Sequence, residues 1–517
     1  MRTIRLKIED LFEFEEKSFV GDARDVATVT ALVVKQFGFL PQPVGVQVED
    51  KEVVISFPEE SAAAQAEAKR LAEKGSKRAA EGNYGKAINI FNRVLELQPS
   101  LNSARRDLAM AYVEVGDVDS ALDHLIEVLR LDPEDAWSWV VLANLHIREK
   151  SDPETGERFL RKALAIKPDD AWALNSLAAL CHEKGRIEEA IALFERAISA
   201  NPNFPNPYYG EAVALEATEQ MDKAVAALRR LFARAKIQDE RSQPVFDSAR
   251  ILFAKLQVDL AARARSEAFK CIQGYKAEME ALSGYPIRIE EAQFEDRVGA
   301  RIQMAWKHGR DYHLISTRRG YDPDLLCHLE AHELTHLKLE SEARKIGKNL
   351  FFATTAKTRE TAIRAVAGDI RKLQKQGYSE DSISKVTLSL VGGLCGFLFN
   401  CSLDMLIERH IRMSFPVLHP AQYLSVRVMA IEAWQTNSNP KVRQTTPHKI
   451  MKASLALNGA YCLFLDGLFE GASAFAKPYS KLDTFVLSQR LYKHWQDRSE
   501  NLARGGGSTG LLMNSRT

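Results

Sequence analysis

The 517-residue sequence predicts a multidomain, mostly α-helical chain: a small α/β unit, an array of repeated helix pairs, then an α+β domain. Three observations carry this. Alternating apolar stretches flank a helical one at the N-terminus, prolines recur at a near-fixed period through the first half, and a strand-rich segment interrupts the helices of the second half. A hydrophobic content of 45% with 27% charged residues is that of a soluble globular protein. The net charge of +1 supplies no bulk field for nucleic acid or an anionic membrane, so neither is expected as a partner.

Residues 1–60 divide into Thr3–Ile8, which alternates like a strand, Asp22–Phe37 at helical spacing, and two more alternating stretches, Val44–Val48 and Glu52–Phe57. Glu49-Asp50-Lys51 suits the turn between the last two. A β-α-β-β unit follows, with the acidic Glu13–Glu16 stretch as a solvated loop and docking or dimerisation as the expected role.

Residues 61–235 become rich in Ala, Leu and Glu, and a period appears. Pro99, Pro133, Pro168 and Pro202 are spaced 34, 35 and 34 residues apart and close similar phrases, LELQPS, LRLDPE, LAIKPD and ISANPN. Ala87, Ala121, Ala190 and Ala224 keep the same phase, and Gly82, Gly116 and Gly185 sit five residues before the first three of them. Each unit reads as two amphipathic helices with Gly in the turn. This pattern resembles the tetratricopeptide repeat, as five units over residues 65–235, with an insertion near Ser151-Asp152-Pro153 and no closing Pro in the fifth. The resemblance implies an α-α superhelix whose concave face docks a protein partner. Trp137, Trp139, Trp172 and Tyr112 are expected in its core.

Residues 236–500 begin with a long helical stretch, Gln243–Leu282, followed by strands: Pro286–Ala292, then Arg301–Trp306 and Tyr312–Ser316 as a hairpin. Pro323 opens a helix running through Leu326–Glu340, LCHLEAHELTHLKLE. His332 and His336, four residues apart, share a helix face, close enough to reach one metal ion. Glu333 then stands where it can touch a metal-bound water. The HExxH motif, with the helix–sheet–helix order before it, resembles a zincin catalytic domain. No HxxGxxH follows His336, which excludes a metzincin and makes the resemblance gluzincin-like.

That resemblance implies Zn2+ held by His332, His336 and a carboxylate, Glu333 as general base, and a protein or peptide substrate. The third ligand stays open. Glu360 lies 24 residues beyond His336 on a charged stretch. Asn400, Asp404 and Glu408 form one polar row on an otherwise apolar helix, where two buried carboxylates need a compensating cation. One acid would bind the metal and the other orient a His, with Glu408 preferred as ligand. A core helix salt-bridged through Arg409 or Arg412 is the alternative for that row. His328 could pair with His332 instead, and the motif could be fortuitous on a surface helix.

Phe351–Asp381 reads as a charged lid or inserted hairpin, Val386–Phe399 as a buried helix too short to span a bilayer, and 501–517 as a flexible tail. His410, His419 and Tyr461 could stabilise an oxyanion, a structural role being expected for each. The six Cys are scattered without a CxxC, and the N-terminus lacks an apolar signal core, so the expected compartment is the cytoplasm. The expected function is zinc-dependent metallopeptidase with a recruiting repeat array. The alternative is a repeat adaptor whose zincin-like domain is inactive or regulatory.

Overall fold

The computed structural model describes residues 1–13, 25–237, 242–294, 298–347, 355–375, 377 and 379–504. It divides into two compact units, Met1–Gln220 and Met221–Thr517. The split between the two falls before the last helix of the stretch 61–235 read as repeats.

The first unit opens with β1 (Arg2–Lys7), α1 (Val26–Gln36), β2 (Gly45–Glu49) and β3 (Glu52–Phe57). The strands form an antiparallel sheet in the order β1-β3-β2. Val53, Ile55 and Phe57 of the central strand have no exposure, the period of two that puts alternate residues on one face. Val29, Leu32 and Val33 of α1 close that core, and Asp25 caps the helix by accepting the Thr28 N–H at 2.9 Å. Glu15 and Glu16 lie outside the described residues, while Glu13 is ion-paired with Lys162 at 2.5 Å rather than free in a loop.

The helix pairs follow: α2 (Ala62–Ala80), α3 (Tyr84–Leu97), α4 (Asn102–Val115), α5 (Val118–Leu131), α6 (Ala136–Arg148), α7 (Pro153–Ile166), α8 (Ala171–Glu183), α9 (Ile187–Ala200) and α10 (Pro205–Ala217). The periodic prolines stand just past the C-caps of α3, α5, α7 and α9, where no backbone N–H is needed to continue a helix. Their carbonyls are used as well: Trp139 Nε1 donates to the Pro133 oxygen at 2.8 Å and the Tyr208 hydroxyl to the Pro202 oxygen at 3.1 Å. Small residues mark the closest crossings. A Cβ on Gly75 would stand 2.7 Å from the Phe91 ring, and one on Gly210 would stand 2.4 Å from the Phe194 ring.

Two aromatic expectations fail here. Trp139 is buried, but Trp137 is 42% and Trp172 61% exposed. Both sit at the second position of a first helix, where one side faces outward. Trp172 packs one flank against Phe204, at 4.3 Å between ring centres. Tyr112 is half-buried and stacks on His124.

The second unit comprises α11 (Met221–Arg234), α12 (Gln243–Ser283), β4 (Ile287–Ala292), β5 (Ala300–Gln303), β6 (His313–Arg318), α13 (Pro323–Lys345), α14 (Ala356–Lys375), α15 (Glu380–Ser414), α16 (His419–Ser438), α17 (His448–Leu468) and α18 (Phe485–Arg504). Phe232 of α11 packs against Phe246 and Phe253 of α12, which is why this helix joins the second unit. The 41-residue α12 stops where Gly284 takes a left-handed φ of 77°. Central β6 runs parallel to β4 and antiparallel to β5, which leaves β5 at the edge. Trp306 does not extend β5 as expected: it lies in a short helical turn, Ala305–His308, whose ring packs at 4.7 Å on His313.

The core below the motif helix gathers Ile272, Tyr275 and Met279 of α12, Ile315 of β6, Ala331, Leu334 and Leu337 of α13, and Ile407 and Ile411 of α15. The outer half of α15 departs from the buried helix expected. Val386, Leu388 and Leu398 are 52%, 43% and 45% exposed, and its most apolar 18-residue window is only 24% buried. The packing is one-sided: among the described residues Ala362, Val366 and Ile370 of α14 and Ile450 of α17 cluster with Leu390, Val391 and Cys395, and Ile383 and Thr387 are buried beside them, while the other flank stays open. By length and composition Lys385–Ser414 could cross a membrane.

Candidate metal centre

The motif helix α13 is placed by its N-terminus. Pro323 fills the first turn, and the Asp322 carboxylate accepts the Asp324 N–H at 3.0 Å. Buried Tyr275 on α12 hydrogen-bonds Thr335 at 3.1 Å, fixing the helix rotation. That rotation turns His328, His332 and His336 toward α15, whose Asp404 and Glu408, one turn apart, face them.

Geometry sorts the two acids. Asp404 Oδ1 stands 3.5 Å from His332 Nε2 and 3.6 Å from His336 Nε2. Glu408 lies on the other side of the His332 ring, with Oε1 2.9 Å from Nδ1, and its Oε2 meets His328 Nε2 at 3.0 Å. Among the described residues, two trios bring donor atoms within 4.8 Å of one another: His332, His336 and Asp404, and His328, His332 and Glu408. Glu360 joins neither. It is exposed on α14 and paired with Arg364 at 2.5 Å. Asn400 is likewise exposed.

The donor set of the first trio fits zinc. Zn–N and Zn–O bonds of about 2.0–2.2 Å put the ligand atoms of a tetrahedral ion roughly 3.3–3.6 Å apart, whereas good hydrogen bonds are shorter, near 2.9 Å. The Asp404 contacts have the first spacing and the Glu408 contacts the second. Charge points the same way. Burial opposes a charge on His332, but Asp404 and Glu408 beside it raise its pKa well above the ordinary value. Burial and that neighbour push His336 down to about 3. Burial would raise Glu408, yet His328 and His332 hold it well below the usual carboxylate range. The pocket thus concentrates positive charge at the His332 position, and a divalent ion there would replace the proton.

Glu333, next along α13, points to the sheet: its Oε2 accepts the Ile302 N–H of β5 at 2.9 Å, and burial raises its pKa. Of the three oxyanion candidates, His419 Nε2 contacts the Arg412 carbonyl at 2.7 Å and His410 packs against Phe415. Tyr461 of α17 is different. Burial first, then the Glu408 and Asp404 charges, raise its hydroxyl well above the ordinary phenol value, which puts it beside the acids. Gln422 of α16, buried, donates from Nε2 to Glu408 Oε2 at 2.8 Å and to the Glu408 carbonyl at 2.7 Å. Sequence reading missed it; a lone Gln in the apolar run Ala421–Val426 was the available signal.

Comparison with known proteins reaches the repeats. Two family models, each described as tetratricopeptide repeat, match residues 134–203 and residues 78–145 with 182–237. Helices within this region are tetratricopeptide repeats. Tetratricopeptide repeat protein 21A of Mus musculus is 28% identical over 131 residues, 25% of this chain and 10% of that one. Protein FlbA of Caulobacter vibrioides is 32% identical over 120 residues, 23% of this chain and 20% of that protein. This chain therefore matches no more than a fifth of the length of either. Among solved structures, MamA is 25% identical with a TM-score of 0.27, covering 30% of this chain and 91% of MamA. YrrB, described as a TPR protein with an unusual peptide-binding site, is 18% identical with a TM-score of 0.26, covering 31% and 83%.

Proposed function

We propose that this chain is a tetratricopeptide adaptor whose second unit is a zinc-dependent hydrolase of peptide bonds. The observation that carries the hydrolase is the placement of His332 Nε2 and His336 Nε2 at 3.5 and 3.6 Å from one Asp404 oxygen, with Glu333 on the same helix. Asp404 is accordingly the preferred third ligand and Glu408 the residue that orients His332. Zinc held there would polarise a scissile carbonyl and lower the pKa of a bound water.

The chain's own residues then have these roles. Glu333, its pKa raised by burial, takes the water proton and passes it to the leaving amine. Glu408 accepts the His332 Nδ1 proton and so keeps the Nε2 lone pair free. Edge strand β5 offers an extended peptide a partner beside the site. The repeats recruit a protein partner or substrate, and the free cysteines suit a reducing compartment such as the cytoplasm.

A second reading is favoured by the comparisons, whose family models match the repeats: an adaptor or scaffold whose zincin-like domain does not hydrolyse anything. Glu333→Gln separates the two. The hydrolase reading expects unchanged zinc content and at least a ~100-fold loss of peptide cleavage. Equal cleavage by the variant would refute the mechanism, and a zinc-loaded wild type that cleaves no peptide in a diverse library leaves the scaffold reading.

A further inference from the structure

We propose that His328 and Gln422 are positioning residues for the metal site, acting through Glu408; this rests on the reading that His332, His336 and Asp404 hold zinc. Glu408 has no exposure, and its carboxylate is held from three sides. Oε1 meets His332 Nδ1 at 2.9 Å, while Oε2 meets His328 Nε2 at 3.0 Å and Gln422 Nε2 at 2.8 Å. The last torsion of a glutamate is a broad rotor. A single contact to His332 would leave the carboxylate plane free to swing and the imidazole free to tilt with it. Two donors on Oε2 remove that freedom.

The donors come from different elements. His328 is one turn before His332 on α13, so the same helix that presents the ligand also holds the acid that orients it. Gln422 reaches in from α16 and is itself anchored to the Glu408 carbonyl at 2.7 Å. A second observation separates this role from ordinary packing. With Nε2 given to Glu408, His328 Nδ1 is buried with no hydrogen-bond partner among the described residues. An apolar side chain would fill that place without leaving a polar atom unsatisfied. Retaining an imidazole there is accounted for by what its Nε2 does for Glu408.

The test is zinc affinity of the full chain, read by competition with a chromogenic chelator, with thermal melting of each variant alongside. A wild type that binds no zinc removes the metal reading itself, before any variant is made. With zinc bound, His328→Leu should weaken affinity roughly 10–100-fold, and His328→Gln, whose amide nitrogen reaches where Nε2 stood, should recover to within roughly threefold of wild type. A merely structural role would lower the melting temperature of both and leave their affinities alike. Wild-type affinity in His328→Leu, or no recovery in His328→Gln, overturns the proposal. Should His328→Leu fail to fold, Gln422→Met decides: a loss of the same order supports the clamp, and unchanged affinity overturns it.

Discussion

Asp404 on α15 sets its Oδ1 3.6 Å from His336 Nε2 on α13, although the two residues belong to helices separated in sequence by all of α14. The contact is made at Nε2, the nitrogen that would face the metal on the proposed reading, while Glu408 takes the opposite nitrogen of the neighbouring ring.

Purified full-length chain should carry about one zinc, and His336→Ala or Asp404→Ala should lose it, since a catalytic zinc needs three protein ligands. Glu360→Ala should keep it, because that carboxylate is exposed and engaged by Arg364. Metal analysis after dialysis reads the outcome. Zinc retained in Asp404→Ala and lost in Glu360→Ala would reverse the ligand assignment.

Two glycine-to-alanine changes should act with opposite signs. Gly210→Ala drives a methyl to 2.4 Å from the Phe194 ring and should destabilise the first unit by about 1–3 kcal/mol. Gly274→Ala, on α12 with nothing within 4 Å of its Cβ position, should stabilise the second by about 1 kcal/mol. Denaturant titration of both variants checks the signs.

His313 predicts an acid-sensitive step in the second unit. Burial lowers its pKa to about 4, and its Nδ1 accepts the Ala305 N–H at 2.9 Å, so the folded state holds it neutral. Above pH ~6.5 neither folded nor unfolded chain protonates it. As pH falls from there toward 4 the unfolded chain takes up a proton that the fold refuses, and stability drops by up to roughly 2–3 kcal/mol. Melting temperatures of wild type and His313→Leu between pH 7 and 4.5 should converge with acid. Parallel curves would show that His313 does not titrate this way.

The outer half of α15 should tolerate polarity. Leu388→Gln and Leu398→Gln replace side chains 43% and 45% exposed. Each should change stability by less than ~0.5 kcal/mol, against the several kcal/mol typical of a core leucine. Thermal unfolding of the single variants measures it. A large loss would mean that this surface is covered.

The repeat was legible because it is local. Pro99 and Pro133 mark helix ends through their own missing N–H, and period, turn glycines and small crossing residues agree without reference to distant chain. The acid row Asp404–Glu408 was legible as a pair, since buried carboxylates on an apolar helix need a partner. Which acid faces which imidazole nitrogen was not, for that depends on how α13 and α15 are rotated, set by Tyr275–Thr335 and the core beneath. Trp137 and Trp172 misled for the reason that residue type predicts average burial, while position on a helix decides it. Val386–Phe399 misled in the same way: apolar composition says that a surface is costly to wet, not that anything lies against it.

The bond from the Ile302 N–H to Glu333 makes the proposed base and any strand added at the β5 edge rivals for one N–H donor. Ile302 turns this N–H away from β6, onto the rim where an added strand would have to pair. A peptide strand accepting that hydrogen leaves the Glu333 carboxylate unbound, and a carboxylate that keeps it denies the peptide one rung of its ladder. Occupancy of the rim and readiness of the acid form an interlock. On the proposed reading, a strand docked along β5 would compete for the hydrogen bond that Glu333 now accepts, without touching His332, His336 or Asp404.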